Sequence, residues 1–432
     1  MSARYDVAIV GLGPTGATLA NLLGRHGMRT VVYERSTAPY SQPRACHLDA
    51  EIARVFQGLG FEQDLHRILT VSKGMDYVDA AGQKLFSFEG FEREPLLGWE
   101  EDYVFVQPQL EAVLRSGLEW FPHVDVHLGA EAPSLEALLA EAEWVIGCDG
   151  ATSTVRESLG IRYRDLLYHQ PWLVVDIVLH DPAVPALPPV IQQVCDPARL
   201  ATFVPSHGSY RRWEFMLDGD EHPDPWELLA PWGVNDTNCT LVRAANYRFH
   251  ALVAETWRAG PNGRVFLAGD AAHLMPPFMG QGMCSGIRDA ANLVWKLAAV
   301  RDGAPSSLLS TYEAERRPHA EAVAHLSIEA GRTLSRLADD PLDVPVPDAP
   351  DPLRWSRLPG LDLGGEFPVG HLVPQPDRLD DRLPPDAWVW VTADQWFDAP
   401  DGRMVVVEPR ATYGSRAVLV RPDRYIADCI RT

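Results

Sequence analysis

The spacing of apolar and polar residues changes several times along the chain, and each change marks an element. Residues 5–10 (YDVAIV) are a short apolar run ending on glycines, a helical pattern runs from Pro14 to about His26 and closes at Gly27, and residues 30–34 (TVVYE) form a second apolar run. That order predicts a strand–helix–strand unit and hence a parallel sheet. From about 161 to 217 the texture is strand-like, with LLYHQPWLVVDIVL, VIQQVCD, LATFVP and RRWEFML separated by Pro and Gly, and 75–88 (MDYVDAAGQKLFSF) reads as a hairpin around Ala81-Gly82. These runs predict an antiparallel sheet beside the first unit. Strand–turn–helix patterning returns at 264–300, so the first unit is expected to be discontinuous. Residues 338–352, dense in Pro and Asp, read as an extended linker, and apolar runs at 388–392, 404–408 and 416–421 predict a small C-terminal α/β unit. The expected boundaries are 1–73, 103–160 and 262–337 for the discontinuous unit, 74–102 and 161–261 for the sheet unit, and 353–432 for the C-terminal region.

Composition narrows the functional classes. Across 432 residues, 46% are apolar and 22% charged, which is an ordinary globular balance. The 38 basic residues face 59 acidic ones, and a net charge of −21 repels phosphate backbones and anionic lipid. Nucleic acid and membrane are therefore not expected as partners, and no run approaches the roughly 18 apolar residues of a spanning helix. The six cysteines lie far apart without a Cys-x-x-Cys pair, which supports neither a disulfide scaffold nor a zinc site. The N-terminus runs straight into a strand with no leader pattern, so a cytoplasmic protein is expected.

Three motifs carry chemistry. The first is Gly11-Leu12-Gly13-Pro14-Thr15-Gly16, followed by Glu34 and Arg35 at the end of the next strand. Gly11 permits a tight turn, Gly13 lets backbone approach a pyrophosphate, and Gly16 lets the helix pack on the sheet. The helix start offers free N–H groups to an anion, and Glu34 is placed to accept the hydroxyls of an adenosine ribose. A dinucleotide site follows, either NAD or FAD. The second motif separates them. Residues 264–273 (RVFLAGDAAH) are a strand ending at Gly269-Asp270, followed by Pro276, Pro277, Gly280-Gln281-Gly282 and a helix from about Cys284 to Val300. A carboxylate at a strand end suits the ribityl hydroxyls of FAD, and a glycine-rich helix start suits the flavin edge that becomes negative on reduction. The third motif, Cys148-Asp149-Gly150-Ala151-Thr152-Ser153, closes another strand and places its loop at the same edge of the sheet.

Together, GLGPTG, PRA (43–45), QPQLE (107–111), CDGATSTVR (148–156) and GDAAHLMPPFMGQGMCSGIRDAANLVWKL resemble the class A flavoprotein aromatic monooxygenases of the para-hydroxybenzoate hydroxylase type. LDAEIARVFQGLG, QPWLVVDIVL, CDPAR and RRWEFML look like the 3-(3-hydroxyphenyl)propionate hydroxylase branch, and the match covers roughly residues 1–330. The resemblance implies an α/β (α+β) fold. It would comprise a discontinuous Rossmann-like FAD-binding domain, an antiparallel-sheet substrate domain and a small thioredoxin-like remnant at the C-terminus. The remnant lacks a Cys pair and is not expected to be redox-active. One departure is that relatives carry two extra strands between Val124 and Trp144, where this chain offers only a short helical pattern at 134–143.

The resemblance also implies cofactors and roles. FAD would be reduced by NADH or NADPH and would react with O2 as a C4a-hydroperoxide that hydroxylates a small phenolic or polycyclic aromatic substrate. Arg44 would meet the pyrophosphate region, Gln107 and Asp270 the ribityl chain, and Asp149 with Gly150 the loop shared with the nicotinamide. The backbone from Pro276 through Gly280, Gln281, Gly282 and Met283 to Cys284 would line the isoalloxazine. The substrate is expected between the flavin and a sheet carrying Gln192, Tyr210, Arg212, Trp213 and Phe215. Arg211, Trp213 and Phe215 share one face there and Tyr210, Arg212 and Glu214 the other, with the inward face undetermined. Tyr210, Arg211 and Trp213 are the candidates on that strand, and His47, after Pro-Arg-Ala-Cys, is the candidate base. His273 reads as structural. Asp289, Trp295 and Lys296 read as ordinary amphipathic positions, with Asn292 a candidate brace for the flavin loop. A monomer or homodimer is expected. A flavin dehydrogenase or oxidase, or a non-catalytic FAD-binding protein, stay as alternatives on the same residues.

Overall fold

The computed structural model describes residues 4–89, 95–183, 185–340, 368–384 and 387–431. Most of the expected linker therefore lies outside the described residues. Among the described residues, four sheets organise the chain. The first has six strands in the order Arg258–Ala259, Val265–Leu267, Ala142–Gly147, Tyr5–Val10, Thr30–Glu34 and Val124–Leu128, all parallel except the short edge strand Arg258–Ala259. Strand Tyr5–Val10 is flanked by Thr30–Glu34 on one side and Ala142–Gly147 on the other, so the carboxyl ends carrying Gly11, Glu34, Asp149 and Asp270 gather at one edge. Ligands of open α/β sheets sit at such an edge. Between Val124 and Trp144, where the resemblance implied two extra strands, the chain has the strand Val124–Leu128 and the helix Leu135–Glu141 before Ala142–Gly147.

The eight-stranded sheet runs His273–Leu274, Cys239–Ala254, Tyr163–Leu179, Tyr210–Met216, Ala201–Val204, Ile191–Cys195, Gly74–Asp79 and Lys84–Glu89. It is antiparallel apart from the parallel pairing of Ile191–Cys195 with Gly74–Asp79. Its 16-residue strand Cys239–Ala254 has no clean period-two alternation and escaped the sequence pattern. One face packs Phe203, Trp213 and Phe215 into a core with Leu229 and Trp232. The other face looks onto the six-stranded sheet's unit across a cavity.

The helix Gln281–Arg301 is buried on nearly every side, which explains how it carries charges without a polar face. Arg288 donates to Asp49, Glu51 and Gln281, and Asp289 pairs with Arg316 and His273. Lys296 reaches Glu315 at 3.0 Å and Asn292 Oδ1 at 2.7 Å. Asn292 donates to Glu315, so it does not brace the flavin loop as expected; Asp289 does. The C-terminal sheet, in the order Val405–Val407, Val389–Thr392, Ala417–Val420 and Ile426–Ile430, is clasped to the helices Ser310–Asp339 and Ala50–Gly58. Arg421 bonds Glu315, Arg54 bonds Asp380, and the Tyr425 hydroxyl donates to Glu51 at 2.8 Å.

Glu315 gives this clasp a pH signature. Burial resists its ionisation, but Arg421 and Lys296 outweigh that and hold its carboxyl down at about 2, against an ordinary 4.5. A carboxylate depressed on folding stabilises above its unfolded value, so this contribution is present above about pH 4.5 and is lost as pH falls through about 2. Glu315→Gln is expected to cost about 3 kcal/mol at neutral pH, because it leaves the buried Lys296 without its carboxylate and Arg421 with Asp423 alone, and to flatten the acid limb. Urea unfolding at several pH values measures both, and an unaltered acid limb contradicts the assignment.

Candidate active site

A cavity of about 1880 Å³ runs from the glycine turn to the inner face of the eight-stranded sheet. It is well beyond the roughly 300–1,000 Å³ of a single-ligand pocket, so it has room for a dinucleotide and a second molecule.

At one end, Gly11 adopts φ +99°, where a Cβ would lie 2.6 Å from the Cys148 carbonyl oxygen. Gly16 packs its helix against Gly11 and Cys148, while the position of a Gly13 Cβ has nothing within 4 Å and opens onto the cavity. Helix Pro14–Arg25 starts without a side-chain cap. Glu34 is fixed by accepting from the backbone N–H of Leu12 at 2.7 Å and of Ser36 at 2.8 Å. Pro14, Thr15 and Arg35 line the same end.

The middle is built by the loop before strand His47–Asp49. Gln107 Oε1 accepts from the N–H groups of Arg44 (3.2 Å) and Ala45 (2.6 Å), and its Nε2 donates to Glu111 at 2.7 Å. Arg212 donates to the carbonyls of Pro43 (2.6 Å) and Arg44 (2.5 Å), so the loop is held from both sides. The Arg44 guanidinium is left over the Tyr40 ring at the cavity wall. Gln107 thus lines the cavity with its amide committed to the loop.

Asp149 is turned toward its own loop, where Oδ2 accepts from Thr154 N at 2.7 Å, and its Oδ1 is buried without a partner. Gly150 lines the cavity beside it. Asp270 opens onto the cavity, and among the described residues no side chain or N–H hydrogen-bonds its carboxylate. The protein packed around it pushes its carboxyl up, with His273 and Arg44 pulling the other way.

Gly280, Gly282 and Met283 line the cavity at the uncapped start of helix Gln281–Arg301. Phe278, wedged among Tyr168, Trp172 and Phe249, fixes the turn Pro277–Met279 before them. Three residues of the expected flavin loop have side chains that face away from the cavity, which leaves only their backbone to take the expected role. Pro276 is buried outside the lining, and Cys284 is buried with its Sγ toward the His47 and Gly280 carbonyls. Gln281 turns its amide backward to Asp49 (3.0 Å) and Arg288 (2.8 Å). Gly269 is also buried, its N–H donating to Asp289 at 3.0 Å.

His47 sits where the two halves of the cavity meet. Its Nε2 is 2.8 Å from Asp102 Oδ1, and Nδ1 is 3.5 Å from the Gly280 carbonyl oxygen. A Cβ at 280 would lie 2.5 Å from that Nδ1, so glycine there lets the imidazole approach the helix start. Asp102 was missed by sequence reasoning. It faces its partner only because strand Asp102–Phe105 pairs antiparallel with His47–Asp49.

The sheet resolves the open question of faces. Arg212 and Glu214 point inward with Thr202, Val204 and Gln193. Trp213 is fully buried in the outer core, and Arg211 turns to the carbonyls of Gly208 and Tyr210. Tyr210 shares the inward parity but lies beyond the cavity lining. The placement of Tyr210, Arg211 and Trp213 therefore does not support a catalytic role for them. The reason is that helix Pro225–Leu229 and Trp232 cover the aromatic face from outside. Gln192 does line the cavity.

The residues fit FAD. The Asp270 carboxylate would meet ribityl hydroxyls, the two uncapped helix starts would meet the pyrophosphate and the flavin edge, and the open space at Gly13 would admit phosphate. Replacing Asp270 with alanine is expected to weaken FAD binding roughly 10- to 100-fold, the worth of a charge-assisted hydrogen bond. Quenching of flavin fluorescence on titration measures it, and an unchanged affinity contradicts the placement.

Comparison with known proteins agrees with this geometry. The family described as FAD binding domain matches residues 4–138 and 139–327. A probable NADH-specific resorcinol 4-hydroxylase of Rhodococcus jostii (strain RHA1) is 37% identical over 427 residues, covering 90% of this chain and 79% of the relative. A 3-(3-hydroxy-phenyl)propionate/3-hydroxycinnamic acid hydroxylase of Mycobacterium sp. (strain JLS) is 38% identical over 76% of this chain, which spans 60% of that relative's length. Among solved structures, aklavinone-11 hydroxylase with FAD and aklavinone shares the fold at a TM-score of 0.76 and 22% identity, covering 100% of this chain and 97% of the other. Family match, relatives and fold agree, and the chain belongs to the class A flavoprotein monooxygenases built on the FAD binding domain.

Proposed function

We propose that this protein hydroxylates a small phenolic ring, using FAD, a nicotinamide reductant and O2, and that the ring lies between Gly280 and the inner face of the eight-stranded sheet. The observation that carries this reading is the continuity of one cavity from Glu34, past Asp270 and His47, to Gln192 and Glu214. Bound FAD supplies acceptance of hydride from the nicotinamide and activation of O2 for transfer of one oxygen atom to the ring.

The chain supplies the rest. Phe249, Phe278 and Tyr77 give the cavity aromatic walls that hold a ring and keep water from it. A phenol, with a pKa near 10, is a poor nucleophile until its proton is shared. His47, oriented by Asp102 at 2.8 Å from its Nε2, is the group that takes that proton.

Both relatives' names point to phenols, one a benzenediol and the other an aryl acid. NADH is the expected reductant, as the name of the Rhodococcus relative states for that protein. Purified protein loaded with FAD should oxidise NADH faster when resorcinol or 3-(3-hydroxyphenyl)propionate is added, with a hydroxylated product. Oxidation indifferent to every phenol tested would overturn the reading.

A further inference from the structure

Four ionisable side chains stand together on the inward face of the eight-stranded sheet, Asp176, Arg212, Glu214 and Arg243, and three of them account for one another. Asp176 accepts from Arg212 Nε at 2.7 Å and from Arg243 Nε at 2.9 Å. Arg212 spends its other nitrogens on the carbonyls of Pro43 and Arg44, and Arg243 also reaches the Tyr247 hydroxyl at 3.2 Å.

Glu214 is the exception. It is 7% exposed and lines the cavity, and its closest cation, Arg212 Nη1, is 3.8 Å from Oε1, beyond hydrogen-bond reach. Among the described residues no donor reaches its carboxylate. Its cross-strand neighbour Thr202 turns its hydroxyl to Gln193 Oε1 at 2.7 Å instead, and its other neighbour is Val174. Burial pushes the Glu214 carboxyl up even with Arg212 nearby. A buried carboxylate left without hydrogen bonds is costly, and native structures keep such groups where something else satisfies them. At a cavity wall, that something is a ligand group.

We propose that Glu214 is a specificity residue that hydrogen-bonds a second ring hydroxyl of the substrate, so that the cavity takes a neutral benzenediol in preference to an aryl carboxylate. This rests on the reading of the cavity as the aromatic-substrate site. Two arginines and two carboxylates already balance, and both guanidinium groups are engaged with Asp176. A substrate carboxylate entering this patch would meet Glu214 with no uncommitted guanidinium to offset the repulsion. A hydroxyl serves Glu214 in either state, donating to the carboxylate or accepting from the acid.

The test uses FAD-loaded wild type, Glu214→Leu and Glu214→Gln, titrated with resorcinol and with 3-(3-hydroxyphenyl)propionate. Flavin absorbance shifts give Kd and NADH oxidation gives kcat/KM, while the FAD content in the same spectra reports folding. Wild type is expected to favour the diol. The leucine variant should lose about tenfold or more in diol affinity without a matching loss for the acid, and the glutamine variant should recover part of it. Should the leucine variant fail to fold, the glutamine variant carries the comparison through a smaller shift in the same ratio. A diol-to-acid ratio within about twofold of wild type in the folded variants overturns the Glu214 proposal alone. Wild type that binds neither compound overturns it together with the reading of the cavity.

Discussion

Asp289→Asn is expected to cost about 3–5 kcal/mol of stability and to release FAD from whatever protein stays folded. Asp289 is fully buried. Its Oδ2 accepts from the Gly269 N–H at 3.0 Å and His273 Nε2 at 2.8 Å, while Oδ1 accepts from Arg316 Nε at 2.9 Å. Arg316 goes on to His319 Nδ1 at 2.9 Å and the Ser285 carbonyl at 3.3 Å. Burial resists ionisation of Asp289, but His273 and Arg316 overcome it and hold its carboxyl below the usual range. Asparagine keeps the shape, removes the charge and aims an NH2 group at a donor. Arg316 is then a buried cation without its counter-charge. The Gly269 N–H is the hinge between strand Val265–Leu267 and Asp270, so the loss reaches the cavity wall at Asp270 as well as the core. Urea unfolding and FAD stoichiometry measure the two effects. A variant with the wild-type midpoint and a full complement of FAD contradicts this account of the network.

His47→Gln is expected to lower kcat with a phenolic substrate by about 10²- to 10⁴-fold at neutral pH, the usual worth of a positioned acid–base group. Glutamine retains a polar side chain beside Gly280 and Asp102 but cannot take a proton. The distinguishing readout is the pH profile. Without the base, the reaction depends on substrate that ionises unaided, so the variant's rate should climb as pH approaches the phenol's pKa of about 10. Wild type, with the base in place, should depend less steeply on pH over that range. A merely structural histidine would lower the rate by the same factor at every pH. Parallel wild-type and variant profiles therefore contradict the base assignment.

How much of this could be read from the sequence depends on how local each signal is. Gly11, Gly13, Gly16 and Glu34 were legible because a tight turn, a phosphate approach and a helix–sheet contact each demand a residue type at a fixed spacing. Asp270 and the glycines at 280 and 282 were legible for the same reason, and all of these residues converge on one sheet edge or cavity. Neighbouring positions were not legible. Gln281 and Cys284 sit inside the motif but face backward, because a helix start shows alternate sides to its surroundings and only packing decides which side meets the cavity.

The strand Tyr210–Met216 shows a second limit. Alternation separated Arg212 and Glu214 from Arg211 and Trp213, but the aromatic face is the outer one because a helix from elsewhere in the chain covers it. Ordinary amphipathic reasoning favours apolar residues inward, but here the inward face turns to a cavity and carries Arg212 and Glu214. Asp102 and Asp289 leave still less trace. Each matters through a partner distant in sequence, with His47 and Asp102 55 positions apart and Asp289 and Arg316 27 apart.

The most direct test of the central claim, that this cavity joins a flavin to a phenolic ring for oxygen transfer, is one mass measurement. FAD-loaded protein, NADH and resorcinol would be incubated under isotopically labelled O2 and the aromatic product weighed. The account predicts a benzenetriol carrying one labelled oxygen atom, formed in step with NADH consumed. Consumption of NADH that yields only labelled hydrogen peroxide, or a product whose new oxygen comes from water, would contradict it.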